Sequence, residues 1–464
     1  MDIKISYKAP CLSLTNTKYV CIAKCQVINV SKPISLEMFH KNDQLSKFCL
    51  IFISKVAIIF VQNCNFEHNV LDRELMRLKN AHSVMLIKMR FYSNTVKYNI
   101  LSEENIKKSN FICNIFIQNT LEHYGMIILN ENVTLVLIDK TKISNSKIST
   151  LSRGITFQQC STIYIKNSTF TGNSARYLGG AIFVHSVIQF HIFSSKIHDN
   201  QADISGGGFH GVNLQFLVIS NSSIGNNRAK KYGGGLYVQN VSSVTTIQCV
   251  IRNNSAEISG AAIIVNYFTV LNMFKCTIGE NRNGGIIAYN GSEILIQSCL
   301  FEKNMAHQGA GLFLQWCQVI QVKDSDFTFN KVTQSGAAIY SHYSYNISAV
   351  NMTVIHNVGG NGAVLFYKQC KHVAMATSTF KSNAGREKEV IFIEVSDVIK
   401  IVKSEFTNSR TVNRGSSGFL FKTVKYIQIM HCKFTQSYGV NMRVVHFYKL
   451  STLSNVFTKC TGTC

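Results

Sequence analysis

Asp324 and Asp326 stand two apart in the sequence, a spacing that puts two carboxylates on one face of a strand. Such a pair is what general acid–base chemistry on a glycoside needs, and a third acid beside it would make a calcium site. Gly208-Phe209-His210-Gly211 sets a histidine between glycines, where it reads as a turn or surface residue. Cys249, Cys276 and Cys299 recur at one phase and offer small buried thiols, a disulfide or metal ligands. No Cys-x-x-Cys spacing favours zinc, so a structural stack is the expectation. The largest group is cationic: Arg176, Arg228, Lys230, Lys231, Arg282, Lys331, Arg386, Lys388, Arg410 and Arg414. Against them stand only Asp203, Glu257, Glu387 and Glu389 in the same kind of segment. They form a candidate site for a polyanion.

What positions these residues is a repeat. A large apolar anchor recurs as Phe39, Phe66, Phe91, Phe116, Ile143, Phe170, Ile197, Ile224, Ile251, Ile278, Phe301, Phe327, Val354, Phe380, Phe406, Phe434 and Phe457, a mean step of about 26 residues. Three positions after it stands Asn at 13 of these 17 anchors, including Asn173, Asn200, Asn227, Asn254, Asn281, Asn304, Asn330, Asn357 and Asn383. Nine positions after it come Gly179-Gly180-Ala181, Gly206-Gly207-Gly208, Gly233-Gly234-Gly235, Gly260-Ala261-Ala262 and Gly336-Ala337-Ala338. The step from Ile278 to Phe301 is four residues short, and its Gly284-Gly285 arrives three residues early, so length varies between the Asn and the glycines, as in a surface loop.

Around each anchor the pattern alternates, as in Ile163-Tyr164-Ile165-Lys166-Asn167-Ser168-Thr169-Phe170, which is strand periodicity. The units are rich in Val, Ile, Phe, Thr and Tyr, and none holds a sustained amphipathic helix. One coil per unit gives an all-β, single-stranded, right-handed parallel β-helix of about 17 coils of 23–28 residues. At about 4.8 Å per coil it would make a rod of about 80 Å. Residues 1–38 are expected to be an N-terminal cap or incomplete first coils, and 39–464 the β-helix, ending mid-coil. A leucine-rich repeat would need Leu at several fixed positions, which Phe and Ile occupy here. Only 2 prolines occur in 464 residues, against roughly 23 at average usage. Strands enclosed between neighbours explain the deficit, since Pro would remove a ladder hydrogen bond.

Phe170 to Asn173 together with Gly179-Gly180-Ala181-Ile182 resembles the repeat of polymorphic outer membrane proteins, in the wider pectate-lyase-like group of right-handed β-helices. The resemblance covers about residues 39–460 and is best from 143 to 383. It implies a surface-exposed passenger acting in adhesion, carried in the bacterial family by a C-terminal membrane barrel. No barrel region is readable after Phe457, so a piece of a longer chain is the expectation. The wider group also contains enzymes that cleave or epimerise acidic polysaccharides. The counterparts of Asp324 and Asp326 are Ser298 and Leu300 one coil earlier and Asn351 and Thr353 one coil later, and no third acid joins them. His210 is similar in setting to the Gly-His-Gly element of polygalacturonases, but the Asn-Thr-Asp and Asp-Asp elements of that family are missing.

The function expected is therefore non-enzymatic: an extracellular or surface β-helix for adhesion or scaffolding, with an acidic polysaccharide or a surface protein as partner and no cofactor. A pectate-lyase-like carbohydrate-active enzyme and a fragment without a role of its own are the alternatives. The Asn ladder is expected to be structural, its amides bonding coil to coil. The formal charge of +23 biases the chain toward anions, though no nucleic-acid module is visible. No run of about 18 uncharged apolar residues exists, the longest candidate being 48–61, broken by Ser54 and Lys55. Lys8, Pro10 and Lys18 break any signal-peptide core after Met1. Sequons stand at Asn29, Asn132, Asn167, Asn221, Asn240, Asn253, Asn290, Asn346 and Asn351.

Overall fold

The computed structural model describes residues 4–5, 12–28, 30, 49–122, 125–148, 153–359, 364–385, 390–408, 410–411, 417–435 and 440–458. By internal contacts it has two units, Met1–Tyr237 and Val238–Cys464. Both are all-β, and the strand pairs within each are parallel. Parallel strands joined by crossovers are right-handed in about 98% of cases. Each turn has three faces. In the first unit one turn runs through the long strand Ile182–Phe193, the short strand Lys196–His198 and the two-residue strand Gln201–Ala202. In the second unit an equivalent turn runs through Leu312–Lys323, Asp326–Thr328 and Lys331–Val332.

The anchors fix the register. In the first unit Phe66, Phe91, Phe116, Ile143, Phe170, Ile197 and Ile224 are successive Cα partners at the centre of the short strands. In the second, Ile251, Ile278, Phe301, Phe327, Val354, Phe380, Phe406, Phe434 and Phe457 do the same. Neighbouring phenyl rings stack inside the coil, 4.5 Å apart for Phe91 and Phe116 and 4.7 Å for Phe301 and Phe327. Both prolines, Pro10 and Pro33, lie outside the described residues.

Two expectations change in detail. Val27, not Phe39, is the partner of Phe66, and Leu12–Thr15 and Tyr19–Ala23 already pair with Cys49–Gln62. Register therefore begins before Phe39, which lies outside the described residues. The two-residue face has 8 strands in one sheet and 5 in another, plus a bridge at Arg282, so about 14 turns show all three faces among the described residues. The difference from 17 falls on Phe39 and on the last two anchors, Phe434 and Phe457.

Each corner is a single residue in left-handed backbone. In one turn these are Ser186, Ser194 and Asp199, with φ of 55°, 47° and 57°. The residue two after the anchor takes this conformation, whatever its type: His68, Gln118 and Asp199 in the first unit, and Glu280, Lys303 and Phe329 in the second. The ladder Asn follows it and is not itself left-handed. Its selection rests on hydrogen bonding alone.

Candidate functional site

In the first unit the segments between Asn and glycine stack in register through Leu178, Ser205 and Tyr232, and their backbones bond from Lys231 N–H to the Ile204 carbonyl. Ala175, Ala202 and Ala229 are Cα partners, so Arg176, Asp203 and Lys230 follow at equivalent places. Asp203 interrupts the cationic column and pairs with Lys230 at 3.0 Å. Arg176, Arg228 and Lys231 are exposed. In the second unit the column reads Ser255, Arg282, Met305, Lys331, Val358, Ala384 and Arg410. Arg282 and Lys331 are exposed and separated by one neutral coil. Arg386, Lys388 and Arg414 lie outside the described residues. Within each unit the loops form a column, and its charge is spaced rather than continuous.

The Asn ladder is fully buried. Asn173 donates from both its backbone N–H and its Nδ2 to Asn200 Oδ1, each at 3.0 Å, and from Nδ2 to the Ile143 carbonyl at 3.1 Å. Asn254 and Asn281 donate in the same way to the next Asn, and so on to Asn357 and Asn383. The thiols of Cys249, Cys276 and Cys299 donate to the carbonyls of Ile247, Phe274 and Gln297, each at 3.3 Å. Ser325 and Ser378 make the same bond two residues back. Serine and cysteine are thus alternatives at one narrow interior position. Cys21 and Cys25 are both free, and Cys25 lies against Cys64. Cys460 and Cys464 lie outside the described residues.

Asp324 occupies a corner with φ of 50° and accepts from Asn351 Nδ2 at 2.8 Å, while Asp326 opens the next strand. The corner puts them on different elements, not on one face of one strand. Among the described residues no group of three or more His, Cys, Asp or Glu converges.

His210 corrects its reading as a turn or surface residue. It is 4% exposed, and its ring stacks between Phe183 at 5.5 Å and Tyr237 at 4.8 Å. Burial, then the Arg153 guanidinium, push its pKa down to about 3, and Ser205 Oγ lies 2.9 Å from Nδ1. This stack of rings lies on the outer side of the long strands and explains the glycine landmark. Gly206 has φ of 66°, and a Cβ there would meet the Phe209 carbonyl at 2.4 Å and His210 Cβ at 2.7 Å. A second stack, Phe313, Tyr340, Phe366 and Phe392, has centroids 4.8–4.9 Å apart. Its sequence signal is an aromatic four residues after the first glycine, as in Gly309/Phe313 and Gly336/Tyr340.

Sequence reasoning also passed over the corner within the long strands. In the first unit it holds Asn80, Asn105, Asn132 and Asn213 among others, residues that tolerate left-handed backbone. In the second unit it holds Asn240, Tyr267, Asn290, Trp316, Tyr343, Gln369, Val395, Thr423 and His446. A bulky residue there costs roughly 1–2 kcal/mol, and Trp316 and Tyr343 remain 49% and 45% exposed. Their rings are parallel within 6°, with centroids 5.9 Å apart. His342 lies 3.9 Å from the Tyr343 ring, and its Nε2 is 2.8 Å from Gln369 Oε1. Lys371 Nζ donates to Tyr345 Oη at 2.7 Å. Asn132, Asn167, Asn221, Asn240, Asn253, Asn290 and Asn351 are also left-handed corners, so most sequons arise from corner Asn followed by strand Ser or Thr.

Residues 216–380 and 261–413 match the right handed beta helix region family, and residues 167–185 match the Chlamydia polymorphic membrane protein repeat. No curated protein matches the sequence. Among solved structures, the A-module of mannuronan C-5 epimerase AlgE6 of Azotobacter vinelandii aligns over 88% of this chain and 91% of its own, at 7% identity and a TM-score of 0.16. That likeness carries no argument about chemistry. With the register, the corners and the ladder in place, the chain is a right-handed parallel β-helix, and its residues 167–185 match a repeat of the polymorphic membrane protein type.

Proposed function

We propose that this chain is a non-enzymatic surface β-helix that binds acidic glycans and serves adhesion or scaffolding. The observation that carries the reading is the stacking of exposed loops in register, with Arg176, Arg228 and Lys231 in the first unit and Arg282 and Lys331 in the second. A polymer with regularly spaced negative charge meets such a column with repeated contacts, each weak and screened by salt. The polymorphic membrane protein repeat supports a surface location.

The test is a glycan array probed with the full chain at low and at high salt. Binding to uronic-acid and sulfated glycans at low salt, reduced at high salt and in Arg282→Glu/Lys331→Glu, is the expected result. Absence of binding to every acidic glycan at low salt overturns the reading. Shortened or epimerised glycan after incubation would overturn its non-enzymatic part.

A further inference from the structure

We infer that the corner of the long strands in the second unit binds an acidic oligosaccharide, packing a sugar ring against Trp316 and Tyr343 and pairing its carboxylate with Lys371. This rests on the glycan-binding reading and gives it a site of its own, since the loop column lies on a different face of the turn.

The first observation is the conflict between residue and backbone. Tyr267, Trp316 and Tyr343 hold φ of 53–56° at a corner where Asn290 shows what the fold itself favours. Packing does not explain them, because about half of each ring faces water. The backbone imposes this conformation on Val395 and Phe329 as well, so what singles out Trp316 and Tyr343 is that their exposed rings stand on successive coils. The second observation is shape. Two parallel rings stacked on successive coils, each about half exposed, make an apolar ledge against which the C–H face of a sugar can pack. Gln369 and His342 stand beside it with side chains suited to hydroxyl groups.

The third observation is charge. One coil after Tyr343, Gln369 and Lys371 belong to the lining of a groove of about 670 Å³ that also includes Asp397, Thr423 and Lys425. Lys425 pairs with Asp397 at 2.7 Å, and Lys368 and Lys422 both pair with Glu394. Four lysines against two acids leave this face with an excess of two positive charges. Lys368 is the register partner of His342 but pairs with Glu394, whereas Lys371 stands one coil after Tyr345 and is held over its ring at 4.3 Å. Single-stranded nucleic acid also stacks on aromatic rings and seeks lysines. The small excess charge, the two-ring ledge and the amide and imidazole groups fit a polyhydroxylated ligand with a spaced carboxylate better.

Trp316 is the only tryptophan in the chain, so its emission reports on this corner alone. The experiment titrates the full chain at low salt with hexameric oligogalacturonate, neutral cellohexaose and oligo-dT, following Trp emission and, in parallel, heat of binding. A saturable emission change with oligogalacturonate is expected, with affinity about tenfold lower for cellohexaose. Tyr343→Asn and Lys371→Ala should each weaken it about tenfold. Lys142→Ala, an exposed lysine of the first unit outside both the loop column and the corner, should leave the emission change in place. Tyr343→Asn installs the residue the corner favours, so thermal unfolding should show the variant at least as stable as the parent. Heat of binding without an emission change, or with no loss in Tyr343→Asn and Lys371→Ala, overturns this site and leaves the glycan reading standing. Preference for oligo-dT overturns the ligand class. No binding of oligogalacturonate by either readout at low salt, with none on the array, overturns both.

Discussion

Glu103 lies wholly inside the first unit, where its Oε1 accepts from Ser109 Oγ at 2.8 Å. Its Oε2 and both polar atoms of Asn130, its partner in the next coil, have no protein partner. Burial pushes the carboxyl up to about 8, opposed by the Ser109 hydrogen bond, and the nearby Cys160 thiol is pushed up to about 11, also by burial. The folded chain therefore keeps this proton where the unfolded chain has released it. From about 4.5 to about 8 the unfolded state binds fewer protons than the folded one, so Glu103 makes stability fall as pH rises. Glu103→Gln carries no ionisable proton and offers Asn130 an amide. Its advantage over the parent in urea denaturation should be smallest at pH 5 and grow toward pH 8. A difference independent of pH would show that Glu103 is not held neutral. One signal in the sequence separates this Glu from the outward-facing acids: its phase is that of a buried apolar residue one coil earlier, Leu78.

At the scale of the element, Asn304 shows what the ladder contributes. Its Oδ1 accepts from the Asn281 backbone N–H at 3.1 Å and from Asn281 Nδ2 at 2.9 Å, and its own Nδ2 donates to the Ile278 carbonyl at 2.9 Å. Asn304→Ala leaves those buried groups without partners, at about 1–3 kcal/mol for each group orphaned. A loss of roughly 3 kcal/mol in denaturant unfolding is expected, allowing for partial relaxation. A loss below about 0.5 kcal/mol, the level of ordinary surface substitutions, would make the ladder incidental. This ladder and the anchor stack were legible in the sequence because both demand one residue type at one phase. The corners were not, because left-handed backbone is imposed there on residues as different as Glu280, Lys303 and Phe329. The outward aromatic stacks were hidden for another reason: half-buried rings such as Phe313 and Phe366 stand at positions that strand alternation marks as solvent-facing. Val27 was missed as an anchor because its distance to Phe66 is not one repeat.

For the whole chain, the charge of +23 predicts attraction to many polyanions and by itself says nothing about selection. Two kinds of contact divide that attraction. Exposed loop cations such as Arg282 and Lys331 act through a screened field, so their contribution falls steeply with salt. Stacking at Trp316 and Tyr343 removes apolar ring surface from water, a contribution that salt hardly weakens. The two are separable by calorimetric titration of the same acidic hexasaccharide from about 50 to about 200 mM salt. In Arg282→Glu/Lys331→Glu the plot of log affinity against log salt should become shallower, because fewer counterions are displaced on binding. In Trp316→Asn affinity should drop by a similar factor at every salt concentration, with the slope retained. Equal loss of slope in both variants would mean that net charge alone holds the ligand, with no division of labour between loop column and corner.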